Sequence, residues 1–238
     1  ELPELTNTQN AFFFLGRPTP ESVAATIVDL CCRRLPNSYG YSPTEDIQVI
    51  CPSRKGPIGT VELNRALQEK LTPAKKGKAQ FTYGAYTFRE GDKVMQVRNN
   101  YDIVWTRGKE EGQGIYNGDI GTIVKIIRSA NFLEIDFDGR IAAYTIDMAK
   151  ELELAYAITI HKSQGNEFRV VVMPVMCGRS AFYNRNLLYT GITRAREQLI
   201  LVGNSQSVAN MTWQTRVNLR YTGLKEFLLR EVMEESSC

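Results

Sequence analysis

Residues 46–67 read DIQVICPSRKGPIGTVELNRAL, and this stretch decides the fold class. Ile47, Val49, Ile50 and Cys51 make an almost unbroken apolar run, which predicts a buried strand over 47–51. Pro52, Gly56, Pro57 and Gly59 then enforce a loop, and that loop carries Arg54 and Lys55. Beyond it Val61, Leu63, Leu67 and Leu71 fall on or near one face of a helix over 60–71. A buried strand that feeds a helix through a short loop is the repeating unit of a parallel α/β sheet.

The same grammar lies upstream. Residues 11–15 read as a short buried strand. A helix is expected over 20–35, with Thr19 as its cap, Pro20 in its first turn, and Val23, Ile27, Leu30 and Cys31 at helical spacing. A turn-rich connector over 36–43 follows. The pattern changes after Thr72, where 72–78 is a basic linker. From 88 to 146 short strands alternate with turns such as Asn117-Gly118-Asp119, and 132–137 faces 140–146 across Asp138-Gly139, a hairpin signal. That reads as a small β-barrel. The α/β pattern resumes with an apolar run over 154–160, a strand over 170–175, a helix over 184–197, a strand over 199–202 and a closing helix over 224–233. The expectation is one α/β domain, residues 1–80 and 151–238, split by a barrel at 81–150.

Composition narrows the function classes. The chain has 238 residues, 43% hydrophobic and 23% charged, with a formal net charge of +3. These values fit a globular protein and permit nucleic-acid binding without arguing for it. No apolar run reaches the roughly 20 residues of a membrane span, so no membrane partner is expected. Five cysteines at irregular spacing fit reduced thiols and a cytoplasmic location. A single histidine excludes a multi-histidine metal site, and no metal ligands are assigned. The first residue is Glu1 rather than Met, which suggests a segment of a longer chain.

Two stretches carry chemistry. Residues 159–168, TIHKSQGNEF, place His161, Lys162, Ser163, Gln164 and Glu167 after an apolar strand, with Gly165 at a turn expected to open a helix. Such loops hold phosphate, base or sugar in parallel α/β sheets, and a solvated loop would have the same residue types. Residues 187–197, LLYTGITRARE, place Arg194 and Arg196 on the expected helix. A planar guanidinium suits a γ-phosphate, and two solvated arginines on an exposed helix fit as well. In the barrel, Asn99, Tyr101, Asn117 and Tyr116 are turn-prone or flat, with Lys93, Arg98 and Arg107 available to track phosphates.

In this order the segments resemble the RecD-like superfamily 1 DNA helicases, the exodeoxyribonuclease V alpha-subunit family. TIHKSQGNEF and LLYTGITRARE resemble its motifs V and VI, and residues 46–67 its motif IV. FREGDKVMQVRNNYD (88–102) and IYNGDIGTIVKI (115–126) resemble its inserted SH3-like barrel, and FFFLGRPTPESVAATIVDL (12–30) the start of its second RecA-like domain. The resemblance implies a RecA-like, P-loop-type parallel sheet domain that lacks the P-loop itself and carries an SH3-like β-barrel. It implies that Arg194 reaches the γ-phosphate, with Arg54 or Lys55 as a second positive group. Gln164, Gly165 and Glu167 would line the nucleotide cleft. Thr159 and His161, with Asn99 and Tyr101 of the barrel, would face single-stranded DNA.

What the sequence lacks sets the expected activity. There is no G-x-x-x-x-G-K-[ST] phosphate cradle, since Gly77-Lys78 is followed by Ala79 and Gly108-Lys109 by Glu110. The cradle is expected in an N-terminal motor domain ahead of Glu1, so ATP with Mg²⁺ would bind only in the intact enzyme. Glu134, Asp136 and Asp138 read as a solvent-facing strand, and no carboxylate cluster suits a nuclease. The resulting expectation is the C-terminal motor portion of a 5′→3′ DNA helicase, inactive as an ATPase alone. Its expected partners are single-stranded DNA, the missing motor domain, and recombination or repair subunits. The alternative is a stand-alone single-stranded nucleic-acid-binding module with no ATPase role.

Overall fold

The computed structural model describes residues 11–75, 77, 79–176, 183–215, 223, 227 and 229. The chain opens with β1 (Phe12–Gly16), α1 (Pro20–Asp29), a π-helical turn (Leu30–Arg34), α2 (Leu35–Tyr39), β2 (Ile47–Cys51) and α3 (Thr60–Leu71). An antiparallel region follows: β3 (Gln80–Tyr83), β4 (Tyr86–Arg89), β5 (Lys93–Gln96), β6 (Asn100–Arg107), β7 (Glu110–Ile115), β8 (Ile120–Ile127), β9 (Phe132–Phe137), β10 (Arg140–Thr145) and β11 (Leu152–Leu154). The chain then returns through β12 (Ala157–Thr159), a 3₁₀ turn (His161–Ser163), β13 (Phe168–Val175), α4 (Arg185–Ile192), β14 (Ala195–Gly203) and α5 (Ser205–Trp213).

Five strands form one parallel sheet in the order β1-β14-β13-β2-β12. β2 is buried along its whole length, as its apolar run requires of a strand covered on both faces. The two-residue period of β13 divides the core. Val170 and Val172 join the cluster that holds Ile27, Leu63 and Leu67, whereas Val171, Met173 and Val175 join Leu187, Leu188 and Met211. Helices α1 and α3 therefore cover one face, and α4 and α5 the other. Each fully buried leucine such as Leu63 or Leu67 contributes about 1.5–3 kcal/mol of burial.

Seven strands form the second sheet, in the order β11-β5-β8-β9-β10-β6-β7, and β3 and β4 pair as a separate hairpin. Asp138 and Gly139 both take positive φ, 54° and 81°, so β9 and β10 close the tight hairpin that their sequence predicts. Leu133, Ile135 and Phe137 point inward and are fully buried. Glu134 and Asp136 alternate with them on the outer side. The last strand of this sheet, β11, lies beyond Lys150 and pairs with β5.

A polar seam joins the two sheets. Asp92 is fully buried and accepts from Gln68 Nε2 (2.6 Å) and Thr72 Oγ1 at the end of α3, from Tyr156 OH (2.9 Å), and from the Arg89 N–H (2.7 Å). Burial outweighs these four donors and raises its pKa above the usual carboxylate value. Beside it Lys93, expected to track phosphates, is 4% exposed and donates to the Ile47 carbonyl at 3.3 Å. Desolvation lowers its pKa from 10.5 to about 8.

Three further expectations are corrected. The first helix does not stop at Leu35. It passes Pro36 and ends at Gly40, whose φ is 71°. The π turn, closed by the Leu35 N–H on the Leu30 carbonyl, widens the coil just before the proline that lacks a donor. The helix expected over 184–197 ends at Ile192, and Ala195 already pairs with Phe168 as the first residue of β14. Sheet pairing has overridden the helical propensity of Arg194-Ala195-Arg196. No helix follows Gly165, whose φ of 86° turns the chain straight into β13. The closing helix expected over 224–233 lies outside the described residues, Phe227 and Leu229 excepted.

Candidate nucleotide cleft and nucleic-acid groove

Arg194 sits where α4 stops and β14 begins. Its Nε donates to the Thr190 carbonyl (3.2 Å), one of the orphan carbonyls at the end of α4. Nη1 donates to the Asn166 carbonyl (3.0 Å) and Nη2 to Thr193 Oγ1 (3.2 Å). A guanidinium has five N–H donors, so two remain without a partner among the described residues. Arg194 itself lines a cleft of about 270 Å³ together with Gln164, Gly165, Tyr189, Thr190 and Thr193. Tyr189 is 65% exposed over this cleft. Gly191 makes the close packing of α4 possible, because a Cβ there would meet Met173 Sδ at 2.9 Å. The sequence thus brings Arg194, Gln164 and Gly165 together. Glu167 is exposed and is not among the cleft-lining residues.

Arg54 and Lys55 lie elsewhere. Their loop leaves the carboxyl end of β2, where Cys51 pairs with Thr159 of the parallel strand β12. Phe168 and Ala195, next to the cleft, start β13 and β14. The expected second positive group is therefore at the opposite edge of the sheet from Arg194. Arg54 Nη2 instead bonds Glu153 Oε1 (2.9 Å) and Tyr86 OH (3.2 Å), and Glu153 chiefly raises its pKa. Lys162 Nζ bonds the other oxygen of Glu153 at 2.8 Å. Arg54, Glu153, Thr159 and Lys162 line one narrow groove, with Thr60 at the start of α3. The Thr159 hydroxyl accepts the Lys162 N–H (3.3 Å) and fixes the turn that carries exposed His161. Lys55 is exposed.

Gly59 holds the Arg54–Lys55 loop in place. A Cβ at 59 would lie 2.6 Å from the carbonyl oxygens of both Arg54 and Lys55.

In the antiparallel sheet, Tyr101 (64% exposed) and Tyr116 (43%) meet edge to face with centroids 5.8 Å apart. Asn99 supports them. Its Oδ1 accepts the Asn117 N–H (2.9 Å) and its Nδ2 reaches Tyr101 OH at 3.4 Å. Asn166 Nδ2 donates to the Gly118 carbonyl of the same turn at 3.3 Å. The sequence reading missed Glu153, Tyr86 and Asn166. Asn166 lies inside the 159–168 stretch, whereas Tyr86 and Glu153 reach Arg54 from 32 and 99 residues away and carry no local signal. Among the described residues no group of three His, Cys, Asp or Glu is placed to hold a metal ion, and no helix is long and apolar enough to cross a membrane.

Comparison with known proteins identifies these parts. Residues 63–137 match the family described as the ATP-dependent RecD-like DNA helicase SH3 domain. Residues 154–202 match the UvrD-like helicase C-terminal domain. Among curated proteins the chain is 33% identical to the ATP-dependent RecD2 DNA helicase of Deinococcus radiodurans, over 68% of this chain and 20% of that protein. It is 29% identical to the RecBCD enzyme subunit RecD of Mycobacterium tuberculosis H37Rv, over 69% of this chain and 26% of that protein. Among solved structures, Bacteroides Pif1 helicase with ADP-AlF3 and ssDNA aligns with a TM-score of 0.47 and 17% identity, over 92% of this chain and 51% of that one. The chain thus carries a RecD-like DNA helicase SH3 domain and a UvrD-like helicase C-terminal domain, and its match spans a fifth to a quarter of these curated relatives.

Proposed function

We propose that this chain is the second motor domain of an ATP-dependent 5′→3′ DNA helicase and works against a P-loop domain that precedes Glu1. The observation that carries the reading is Arg194, held by three hydrogen bonds where it lines a cleft beside Gln164. A preorganised guanidinium of this kind stabilises charge that develops on a transferring phosphoryl group. ATP with Mg²⁺, bound against the opposing domain, supplies the free energy for the cycle. Arg194 and Gln164 orient its terminal phosphate, and Gly165 lets the backbone turn past it.

Single-stranded DNA lies along the other edge of the sheet. There Arg54, Lys162, Thr159 and His161 face its backbone and sugars, while Tyr101 and Tyr116, whose turn Asn166 ties to the Arg194 side, offer faces to bases. Lys55 adds positive charge at the rim. The curated relatives named above are a DNA helicase and a RecBCD subunit, which supports DNA as the substrate and recombination subunits as partners.

Arg194→Ala in the full-length polypeptide is the test. ATP turnover is expected to fall about 10³-fold or more, the scale of an arginine finger, with DNA affinity retained. Unchanged turnover would remove Arg194 from the nucleotide site. Turnover by the isolated chain, with no P-loop domain added, would overturn the two-domain reading.

A further inference from the structure

The groove at the carboxyl edge of the parallel sheet is already filled from within. Three separate elements meet there: Arg54 from the loop after β2, Lys162 from the turn after β12, and Glu153 from β11 of the antiparallel sheet. Each cation takes one carboxylate oxygen, Arg54 at 2.9 Å and Lys162 at 2.8 Å, so the acid spans the pair. The side chain of Glu153 is 24% exposed and that of Arg54 is 52%, so the acid is the deeper partner and the arginine reaches over it. Tyr86 OH accepts from the Arg54 guanidinium, and the Thr159 hydroxyl accepts the Lys162 backbone N–H and so fixes the turn from which the lysine extends. A phosphodiester presents two non-bridging oxygens, each with partial negative charge, at a spacing close to that of a carboxylate, and so fits the same two donors.

We propose that the Glu153 carboxylate stands in the place of a nucleic-acid phosphate and acts as an internal competitor, displaced from Arg54 and Lys162 when the strand binds. This rests on the reading of the groove as a DNA path. Binding then exchanges one anion for another. The exchange keeps both cations ordered and partly desolvated without a strand, and it limits how tightly a phosphate is held. A motor that must release the backbone at every step gains from such a limit. The acid also refunds charge: once displaced it offsets one of the two cations, so binding neutralises one phosphate fewer than the two cations alone would.

The isosteric substitution Glu153→Gln tests this, measured by binding a short oligothymidylate across a salt series. Two partly exposed ion pairs imply that E153Q binds about 3- to 30-fold more tightly than the unaltered protein. Its log–log salt slope should be steeper by about 0.7, the value for one further phosphate on a single strand. Adding Arg54→Ala to E153Q should abolish most of the gain. Weaker or unchanged binding by E153Q, at an unchanged melting temperature, overturns the proposal and makes Glu153 a scaffold for the two cations. Should neither protein bind the oligonucleotide, the DNA path itself falls. The competitor role is then read with pyrophosphate in calorimetry: binding by E153Q alone retains it, and binding by neither or by both equally rejects it.

Discussion

Replacing Asp92 with alanine removes the acceptor at the seam between the two sheets. Four donors converge on that carboxylate: Gln68 Nε2, Thr72 Oγ1, Tyr156 OH and the Arg89 N–H. A buried donor left without an acceptor costs about 1–3 kcal/mol. Water entering the vacated volume can satisfy about half of them, which leaves roughly 2–6 kcal/mol. Against this stands the relief of burying a carboxylate, which is real here because its pKa is raised by desolvation. The net expectation is a loss of about 3 kcal/mol, near the lower part of that range. For a chain of this length each kcal/mol moves Tm by about 2–4 °C, so Asp92→Ala should melt about 6–12 °C lower in a calorimetric or circular-dichroism scan. A Tm within about 2 °C of the parent would refute the argument, since it would mean that the four donors find equally good partners without the acid.

Two other perturbations follow from the same structure. Lys93→Met should be neutral to stabilising at pH 7, because it removes a buried amine whose charged form is disfavoured. Lys93 has a folded-state pKa of about 8 against 10.5 unfolded, so the unfolded chain binds more protons between those values. Stability of the parent relative to Lys93→Met should therefore rise from pH 8 to 10.5 in urea titrations, and a flat difference would contradict it. Gly59→Ala should cost about 1–3 kcal/mol by overpacking against the carbonyls of Arg54 and Lys55. It should also weaken oligothymidylate binding more than its effect on Tm would explain, and equal binding would show that the loop position is unimportant.

The order of elements was legible because each one rests on local chemistry. The β2–α3 unit follows from its apolar run, its Gly/Pro loop and its helical leucines. The β9–β10 hairpin follows from Asp138-Gly139. Edges of elements were less legible where tertiary pairing decides them. Arg194-Ala195-Arg196 has helical propensity, and only the partner Phe168 on β13 reveals that the strand has begun. That shift of a few residues also hid where the site residues lie. Once β14 starts at Ala195, Arg194 belongs to the amino edge of the sheet, while Arg54, which follows a strand, belongs to the carboxyl edge. Motif order along the chain carries no such register. Lys93 was misplaced for a related reason: a basic residue on a short strand is usually at the surface, and nothing local announces the neighbouring carbonyl of Ile47. The β6–β7 hairpin, rich in polar residues, resembles loop until its partner strand is present.

The strap of residues 160–167 links two ends of one sheet, and its length has a mechanical consequence. Thr159 lies level with Cys51, about two residues beyond the Val49–Val172 pair, whereas Phe168 opens β13. Those levels differ by about 20 Å along the strands at 3.3 Å per residue, with two strand spacings sideways. The strap spends part of its reach on the 3₁₀ turn at His161–Ser163. About 26 Å of chain must then cover some 22 Å of span, so the segment behaves as a connecting rod rather than a slack tether. Displacing Gln164, midway along the strap, is transmitted to Thr159 at its start, and a single inserted glycine between them would let the two move independently.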